Sequence, residues 1–511
     1  MKTVNFFRKY HKWLGIAWAV FFVIYAMSGI VLNHRRLVAP VDVSRKLLPK
    51  IYRYKNWNLA SVKSTLKLSP DSILIYGNIG VWITDSTFSQ FKDFNAGLPK
   101  GMDNRRILSM SLWHRIPLAG TMFGLYQYDF SSNKWKRIPL PQKNVQIESI
   151  LPLGDSLLIL TRSYVLTSDD LKHFKIITLK PPQGYDNKVG LFKTLWTIHT
   201  GEIYGNIGKL IVDLVGLIFT FLTITGLLIW LNKGKLQKRK NSALQKAQRT
   251  VLWNRRWHNR IGWITIIFLL ITATTGMFLR PPFLLFVANS RVKKIPGTVL
   301  DSPNPWHDRL RAIIYDPYHK QFIIGTDREF YHLKSLNDQP QKFVFQPPVS
   351  VMGINVFRQV DTNTYLVGSF EGLYRWNPYE KYNYDIIFKR NVSPSFRQGR
   401  DDDYSTYGYT DDFPAGTVVF DYDRGAMPLD STVSFVPMPP QIKNLPMSLW
   451  RVAQEFHTGR IFRPLLGGFY ILIVPLTGLI AIFILISGFI VWWKIFRNNN
   501  KNNINNGTEK I

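Results

Sequence analysis

The chain contains no cysteine. That excludes disulfides, thiolate metal sites, iron–sulfur clusters, covalently attached CxxCH haem and cysteine nucleophiles together, so any redox chemistry has to use a cofactor held by other ligands. Acidic residues are also scarce, 33 against 65 Lys and Arg. HExxH, GxSxG, Walker and Rossmann signatures are missing, which leaves protease, hydrolase, kinase and nicotinamide-binding readings without support. Charged residues make up only 19% while hydrophobic ones reach 46% and aromatics 14%. Such a composition excludes a wholly disordered chain and is rich in rings for a soluble one. The 511 residues leave room for several units with cores of their own.

Three uncharged apolar runs stand out, Trp13 to Leu32, Ile261 to Leu279 and Phe469 to Trp493. Each is close to the ~20 residues a helix needs to cross a bilayer. A fourth, Leu210 to Leu231, is broken only by Asp213. The first run is longer than a signal-peptide core, lacks a small-x-small cleavage site and has a copy in mid-chain, so it is expected to be retained. Between the second and third spans lie Lys233, Lys235, Lys238, Arg239, Lys240, Lys246, Arg249, Arg255, Arg256 and Arg260 with no acid. This stretch reads as a positive-inside topology signal resting on anionic lipid, in preference to a nucleic-acid site. Both termini are then cytoplasmic, and two long segments are exported.

The expected order is cytoplasmic N-terminus and first span, 1–34; exported segment, 35–198; second span with a histidine motif, 199–232; basic loop, 233–256; third span, 257–280; exported segment, 281–455; histidine motif and fourth span, 456–497; and an Asn/Lys-rich disordered tail, 498–511. The exported segments read as short β runs punctuated by turns, such as SILIYGNIGVWIT and NTYLVGSFEGLYRWNP, at a period of roughly 35–40 residues that suits propeller-like blades. The fold class is therefore an α-helical integral membrane protein carrying a β-rich, propeller-like exported domain built from two inserts. Outside the cytoplasmic stretches 47 basic residues face 32 acids, a balance that would attract an anionic chelate or simply oppose anionic lipid.

RKYHKWLGIAWAVFFVIYAMSGIVL from Arg8 aligns without a gap on RRWHNRIGWITIIFLLITATTGMFL from Arg255. His11 matches His258, Gly15 matches Gly262, and Gly29 matches Gly276. The spans after the exported segments match too: HTGEIYG with HTGRIF, then VDLVGLIFTFLTITGLLIW with VPLTGLIAIFILISGFIVWW, with four extra residues in the second copy. The protein is a tandem repeat of span, exported domain, span. Two spans per unit put both copies in the same orientation, so His11 and His258 lie at the cytoplasmic edge and His199 and His457 on the exported side.

Paired imidazoles across a helix bundle are what non-covalent b-type haem requires as axial ligands. Two haems follow, one per face, with Gly15 and Gly262 one turn from their histidines as positions where a flat ring could lie against backbone. The bland alternative is interfacial histidines that cap spans. His199 stands eleven residues before Leu210, about 16 Å along a continuous helix, which would set an outer haem at headgroup level. His34, at the end of the first span and matched by Pro281, is an alternative outer ligand. Asp213, matched by Pro475, reads as a snorkelling acid, a proton carrier or, through Lys209, a haem-propionate contact. Asp401, Asp402, Asp403, Asp411 and Asp412 sit among tyrosines, either as oxygen ligands for a hard cation or as a solvated loop.

With HKWLG, SGIVL and HTG in hand, the sequence resembles the PepSY-associated transmembrane family, which includes inner-membrane proteins of iron uptake and ferric-siderophore reductases that carry haem. The resemblance covers the four spans. The exported segments contain no PepSY-type sequence. What it implies is a haem oxidoreductase of the bacterial inner membrane, with His11, His199, His258 and His457 as the recurrent histidines. Electrons would come from a quinol or a cytoplasmic reductase and go to a ferric chelate on the periplasmic side. Two other classes compete: a non-catalytic anchor presenting the propeller-like domain to a partner, and a small transporter, for which parallel repeats are a precedent.

Overall fold

A computed structural model describes residues 2–143, 145–236, 242–350, 353–395, 404–430 and 432–497. The chain divides into a helical unit, comprising the N-terminus to Val38, Asn187–Ser302 and Trp450 onward, and a β unit, comprising Ala39–Asp186 and Pro303–Leu449.

The helical unit contains α1 (Lys2–Asn33), α2 (Leu191–Thr200), α3 (Gly205–Leu236), α4 (Ser242–Phe278), α5 (Leu449–His457) and α6 (Ile473–Trp492). Among the described residues four stretches are long and apolar enough to cross a membrane: Lys2–Asn33, Glu202–Asn232, Gln248–Phe278 and Arg460–Ile495. Val20, Leu210, Ile267 and Phe469 point outward from them, an arrangement stable only against lipid. The chain is a membrane protein. In the bundle α1 and α4 each pack against both α3 and α6, so the equivalent spans of the two repeats stand diagonally opposite. Phe22, Ala481 and Ile484 form one core, with Trp18 and Phe219 against it, and Val215, Leu222 and Leu269 another. The basic stretch 233–256 is helical at both ends, since α3 runs to Leu236 and α4 starts at Ser242; residues 237–241 lie outside the described residues, as does the tail from 498.

Among the described residues the β unit holds six antiparallel sheets of three to five strands, each a meander in chain order. Their first strands are β1 (Ser64–Ser69), β2 (Ile107–Trp113), β3 (Ile147–Leu153), β4 (Leu310–Asp316), β5 (Val356–Gln359) and β6 (Thr406–Thr410). Three sheets come from each exported segment. Each first strand touches the next, and β6 returns to β1. Every gap between neighbouring sheets is filled by its own apolar cluster, including the last, where Val418 and Phe420 meet Ile73 and Ile75. Asp42–Val43 pairs with Ser448–Met447, tying the two ends of the unit. Much of the aromatic content is spent here: Trp57, Trp306 and Trp376 are fully buried, and their indole N–H groups donate to the Val436, Lys180 and Phe345 carbonyls, which satisfies the polar edge of each ring. First strands recur every 40 to 50 residues within a segment, counting from Ser64, Ile107 and Ile147 and from Leu310, Val356 and Thr406. That is longer than the expected 35–40, because the sheets carry up to five strands.

Candidate functional site

The HTG motifs are helix ends. In the first repeat α2 stops at Thr200, whose Oγ1 donates to the Trp196 carbonyl, and Gly201 closes it at φ 77°. In the second α5 stops at His457, Thr458 Oγ1 donates to the Gln454 carbonyl, and Gly459 adopts φ 74°. Only glycine enters this left-handed conformation without strain. Past the turn the chain reverses, so His199 does not lie on a continuous helix leading to Leu210, as the sequence suggested. It sits on a separate short helix packed against α4. The four extra residues of the second copy are accounted for by the single turn Arg463–Leu466, inserted before Gly467.

Each of the four histidines docks on the other repeat in the same way. His11 Nδ1 lies 2.9 Å from the Ile484 carbonyl and 3.2 Å from Ser487 Oγ on α6. His457 Nδ1 lies 3.1 Å from the Tyr25 carbonyl and 3.0 Å from Ser28 Oγ on α1. His199 Nδ1 meets the Thr272 carbonyl at 3.0 Å and Thr275 Oγ1 at 3.4 Å on α4, and His258 Nδ1 meets Thr225 Oγ1 at 3.0 Å on α3. A glycine follows each hydroxyl residue, and the imidazole Cε1 rests on it: Gly488 under His11, Gly29 under His457, Gly276 under His199 and Gly226 under His258. The four hydroxyls donate their own protons to carbonyls one turn back. They can therefore only accept from the imidazole, so Nδ1 carries the proton and the Nε2 lone pair is left for a ligand bond.

The histidines meet in the expected pairs. The rings of His11 and His258 have centres 6.2 Å apart, and those of His199 and His457 6.0 Å. Two metal–nitrogen bonds of ~2.0 Å plus about 1.1 Å from each nitrogen to its ring centre sum to about 6 Å, so both separations fit one ion between the rings. Along α1 His11 and Ser28, on which His457 docks, are 17 residues apart, as are His258 and Thr275 along α4, which places the pairs about 25 Å from each other at ~1.5 Å per residue. Among the described residues three buried donor atoms near the pairs lack a hydrogen-bond partner: Tyr25 Oη, whose ring packs edge-on to His457, Asn254 Nδ2 one turn before His258, and Arg280 Nε, whose guanidinium donates through another nitrogen to the Thr458 carbonyl of the second HTG turn. Among the described residues no group of three or more His, Asp or Glu converges, so each histidine pair stands without a third such side chain beside it.

Other sequence-derived candidates lie elsewhere. A side chain at Gly15 would meet nothing within 4 Å, and one at Gly262 only Leu222; the glycines that touch imidazole are the four named above. His34 Nε2 is 2.6 Å from Asp213 Oδ2, and Asn33 Nδ2 donates to Asp213 Oδ1. The Nε2 of His34 thus faces a carboxylate in place of a second imidazole. Lys209 turns to Glu202 instead of Asp213. Asp411 pairs with Arg358, and Asp412 accepts from Thr65; Asp401, Asp402 and Asp403 lie outside the described residues. The docking residues Thr225–Gly226 and Ser487–Gly488 were not singled out from sequence, although a hydroxyl–glycine step recurs in all four spans.

The model of the PepSY-associated TM region matches this chain twice, over residues 1–233 and 177–494. No curated protein matches it. Among solved structures, the extracellular domain of BT4673 from B. thetaiotaomicron is similar at 12% identity and a TM-score of 0.34, covering 74% of this chain and 40% of that one. The designed protein Ika8 (8% identity, TM-score 0.29) is covered over 87% of its length and 72% of this chain. PorZ, a surface component of the type-IX secretion system of Porphyromonas gingivalis (8%, 0.29), is covered over 39% of its length and 76% of this chain. The present chain thus spans about two fifths of the natural proteins it resembles, and these likenesses are too distant to define its fold.

Proposed function

This chain belongs to the PepSY-associated TM family, and from that premise we propose that it is a haem-carrying electron-transfer protein of the bacterial inner membrane that reduces a ferric chelate, such as a ferric siderophore, in iron uptake. The observation that carries the reading is the fourfold docking of histidines whose Nδ1 is fixed as a donor, assembled into two pairs at single-ion spacing. A bare ion with two protein ligands is under-coordinated, whereas haem b brings donors of its own. His11 with His258 and His199 with His457 would hold it, and it would supply one-electron transfer when bound. The carbonyl and hydroxyl acceptors hold each imidazole in one tautomer and raise its basicity. Arg280 and Asn254 offer buried donors suited to a cofactor carboxylate.

The acid-free basic stretch supports cytoplasmic termini and a periplasmic β unit. We read its six sheets, with their cyclic first strands, as a six-bladed propeller. Electrons would enter from quinol or a cytoplasmic reductase at His11 and His258 and leave at His199 and His457. The test is the absorption spectrum and haem content of full-length protein purified from haem-replete cells. A reducible b-type spectrum with two haems per chain is expected, with His11→Ala or His258→Ala removing the inner and His199→Ala or His457→Ala the outer. A colourless protein would overturn the proposal.

A further inference from the structure

The β unit contains a second concentration of chemistry, far richer in charge than the histidine sites and unrelated to them in sequence. It lies where the first strands of the sheets begin. Lys63 immediately precedes β1 and Arg106 precedes β2; Glu148 and Arg311 are the second residues of β3 and β4; Asn355 precedes β5 and Tyr407 is second in β6. Glu148, Arg311 and Tyr407 each fall at a register shift, between Ile147 and Ser149, Leu310 and Ala312, and Thr406 and Gly408. A bulge at this place adds a residue and re-aims its side chain. Six sheets thus deliver one polar side chain apiece to the start of the ring of first strands.

The charges there do not balance. Glu148 is within electrostatic reach of Arg162, Arg311, Lys63 and Arg106. Arg162 is taken up by Asp308 at 3.0 Å and approaches Glu148 at 3.6 Å. Glu148 Oε1 also accepts from Gln146 at 2.7 Å. The other three cations have weaker company. Lys63 Nζ has the Asn355 amide oxygen at 3.3 Å and the face of Tyr407 at 5.4 Å, Arg311 donates to the carbonyl of its neighbour Leu310, and Arg106 Nε is buried without a partner. Burial, with Arg106 nearby and only Glu148 opposing, pushes the Lys63 amine down to about 7, and burial together with Arg162 lowers Arg311 against the pull of Glu148, Asp327 and Asp308; of these, Asp327 and Asp308 are already paired with Arg309 and Arg162. All three side chains are part-buried, and cations withdrawn from water without full counter-charge are costly. An anion supplies what is missing, and guanidinium groups grip carboxylate and other oxyanions through paired N–H donors.

We propose that Lys63, Arg106 and Arg311, with Asn355 and Tyr407 beside them, form a binding site for a small multivalent oxyanion at the start of the first strands of the β unit. The site is independent of the haem reading. Glu148 limits affinity and orients Arg311 and Arg162. Because Lys63 is faced by Glu148, Arg106, Asn355 and Tyr407, its charge, and with it anion binding, declines as pH rises through about 7.

The test is isothermal titration calorimetry of the full-length protein in detergent at low salt, with sulfate and with citrate as probes. Saturable binding of one anion per chain is expected, tighter for citrate than for sulfate. Sulfate, whose charge does not change between pH 6 and 8.5, should bind at least tenfold more weakly at the higher pH. Arg311→Gln and Lys63→Gln should each weaken citrate at least tenfold, and Glu148→Gln should tighten it; the last serves if the first two fail to fold. Absence of saturable binding in the unaltered protein, or variants that bind as it does, would overturn the proposal.

Discussion

Replacing Gly488 by alanine tests the docking geometry most directly. A Cβ at this position would stand 2.8 Å from His11 Cε1 and 3.2 Å from its Nδ1. Carbon atoms pack at ~3.5–4.0 Å, so the imidazole has to retreat by about 1 Å. The 2.9 Å bond from Nδ1 to the Ile484 carbonyl then lengthens past the range in which it counts. Loss of that bond costs ~0.5–1.5 kcal/mol, overpacking a further ~1–3 kcal/mol, and the better helix propensity of alanine returns up to ~1 kcal/mol. The net expectation is a destabilisation of about 0.5–4.5 kcal/mol and, on the proposed function, loss of the haem held at His11 and His258. Gly226 is the equivalent position in the first repeat, under His258, but its Cβ would lie at 3.5 Å, an ordinary contact. Gly226→Ala should therefore be neutral or slightly stabilising. Thermal unfolding of the haem-free, detergent-solubilised protein and haem per chain of the loaded protein measure the two effects separately. Equal behaviour of the two variants would refute the reasoning, because only the contact distance separates them.

Three further outcomes are expected. Gly201→Ala, with φ 77° and a Cβ 2.1 Å from the Gly208 carbonyl oxygen, should cost more than Gly459→Ala, where φ is 74° but the nearest atom is 3.5 Å away; backbone strain alone is about 1–3 kcal/mol, and melting temperatures should rank the two in that order. Reporter fusions after Lys240 should behave as cytoplasmic and those at Asp155 or Asp361 as exported; an exported signal at Lys240 would invert the topology and the assignment of inner and outer pairs. In the β unit, burial raises the Asp316 carboxyl, but bonds from Tyr365 (2.6 Å), Gln359 (2.9 Å) and His319 hold it below its usual value overall. Its contribution to stability is therefore present above the unfolded value of ~3.9 and lost as pH falls through the depressed native one. Tyr365→Phe should move the acid-unfolding midpoint upward, followed by tryptophan fluorescence, and an unmoved midpoint would contradict the assignment.

Much of the helical unit was legible in the sequence because it follows from local properties. Apolar runs of bilayer length admit only helices, and the gapless match of Arg8 onward to Arg255 onward states the duplication outright. Two same-sense copies then force His11 toward His258 and His199 toward His457 by symmetry alone. The alternation of apolar residues and turns likewise revealed a β-rich layer between the spans. What the linear order could not show depends on residues far apart in the chain. That HTG ends a helix and turns the chain back was hidden because Gly201 and Gly459 could as readily continue an apolar segment; only packing against α4 and α1 selects the left-handed turn. Gly15 and Gly262, one turn from their histidines, looked like the close-packing positions, yet the glycines that receive imidazole come from the opposite repeat, a pairing invisible until the helices cross. His34 and Asp213 lie 179 residues apart and meet because α1 and α3 are neighbours in the bundle. The cationic ring of the β unit was decided by tertiary structure most completely: Lys63, Arg106, Glu148 and Arg311 carry no common motif, and only the return of β6 to β1 brings their strand ends to one place.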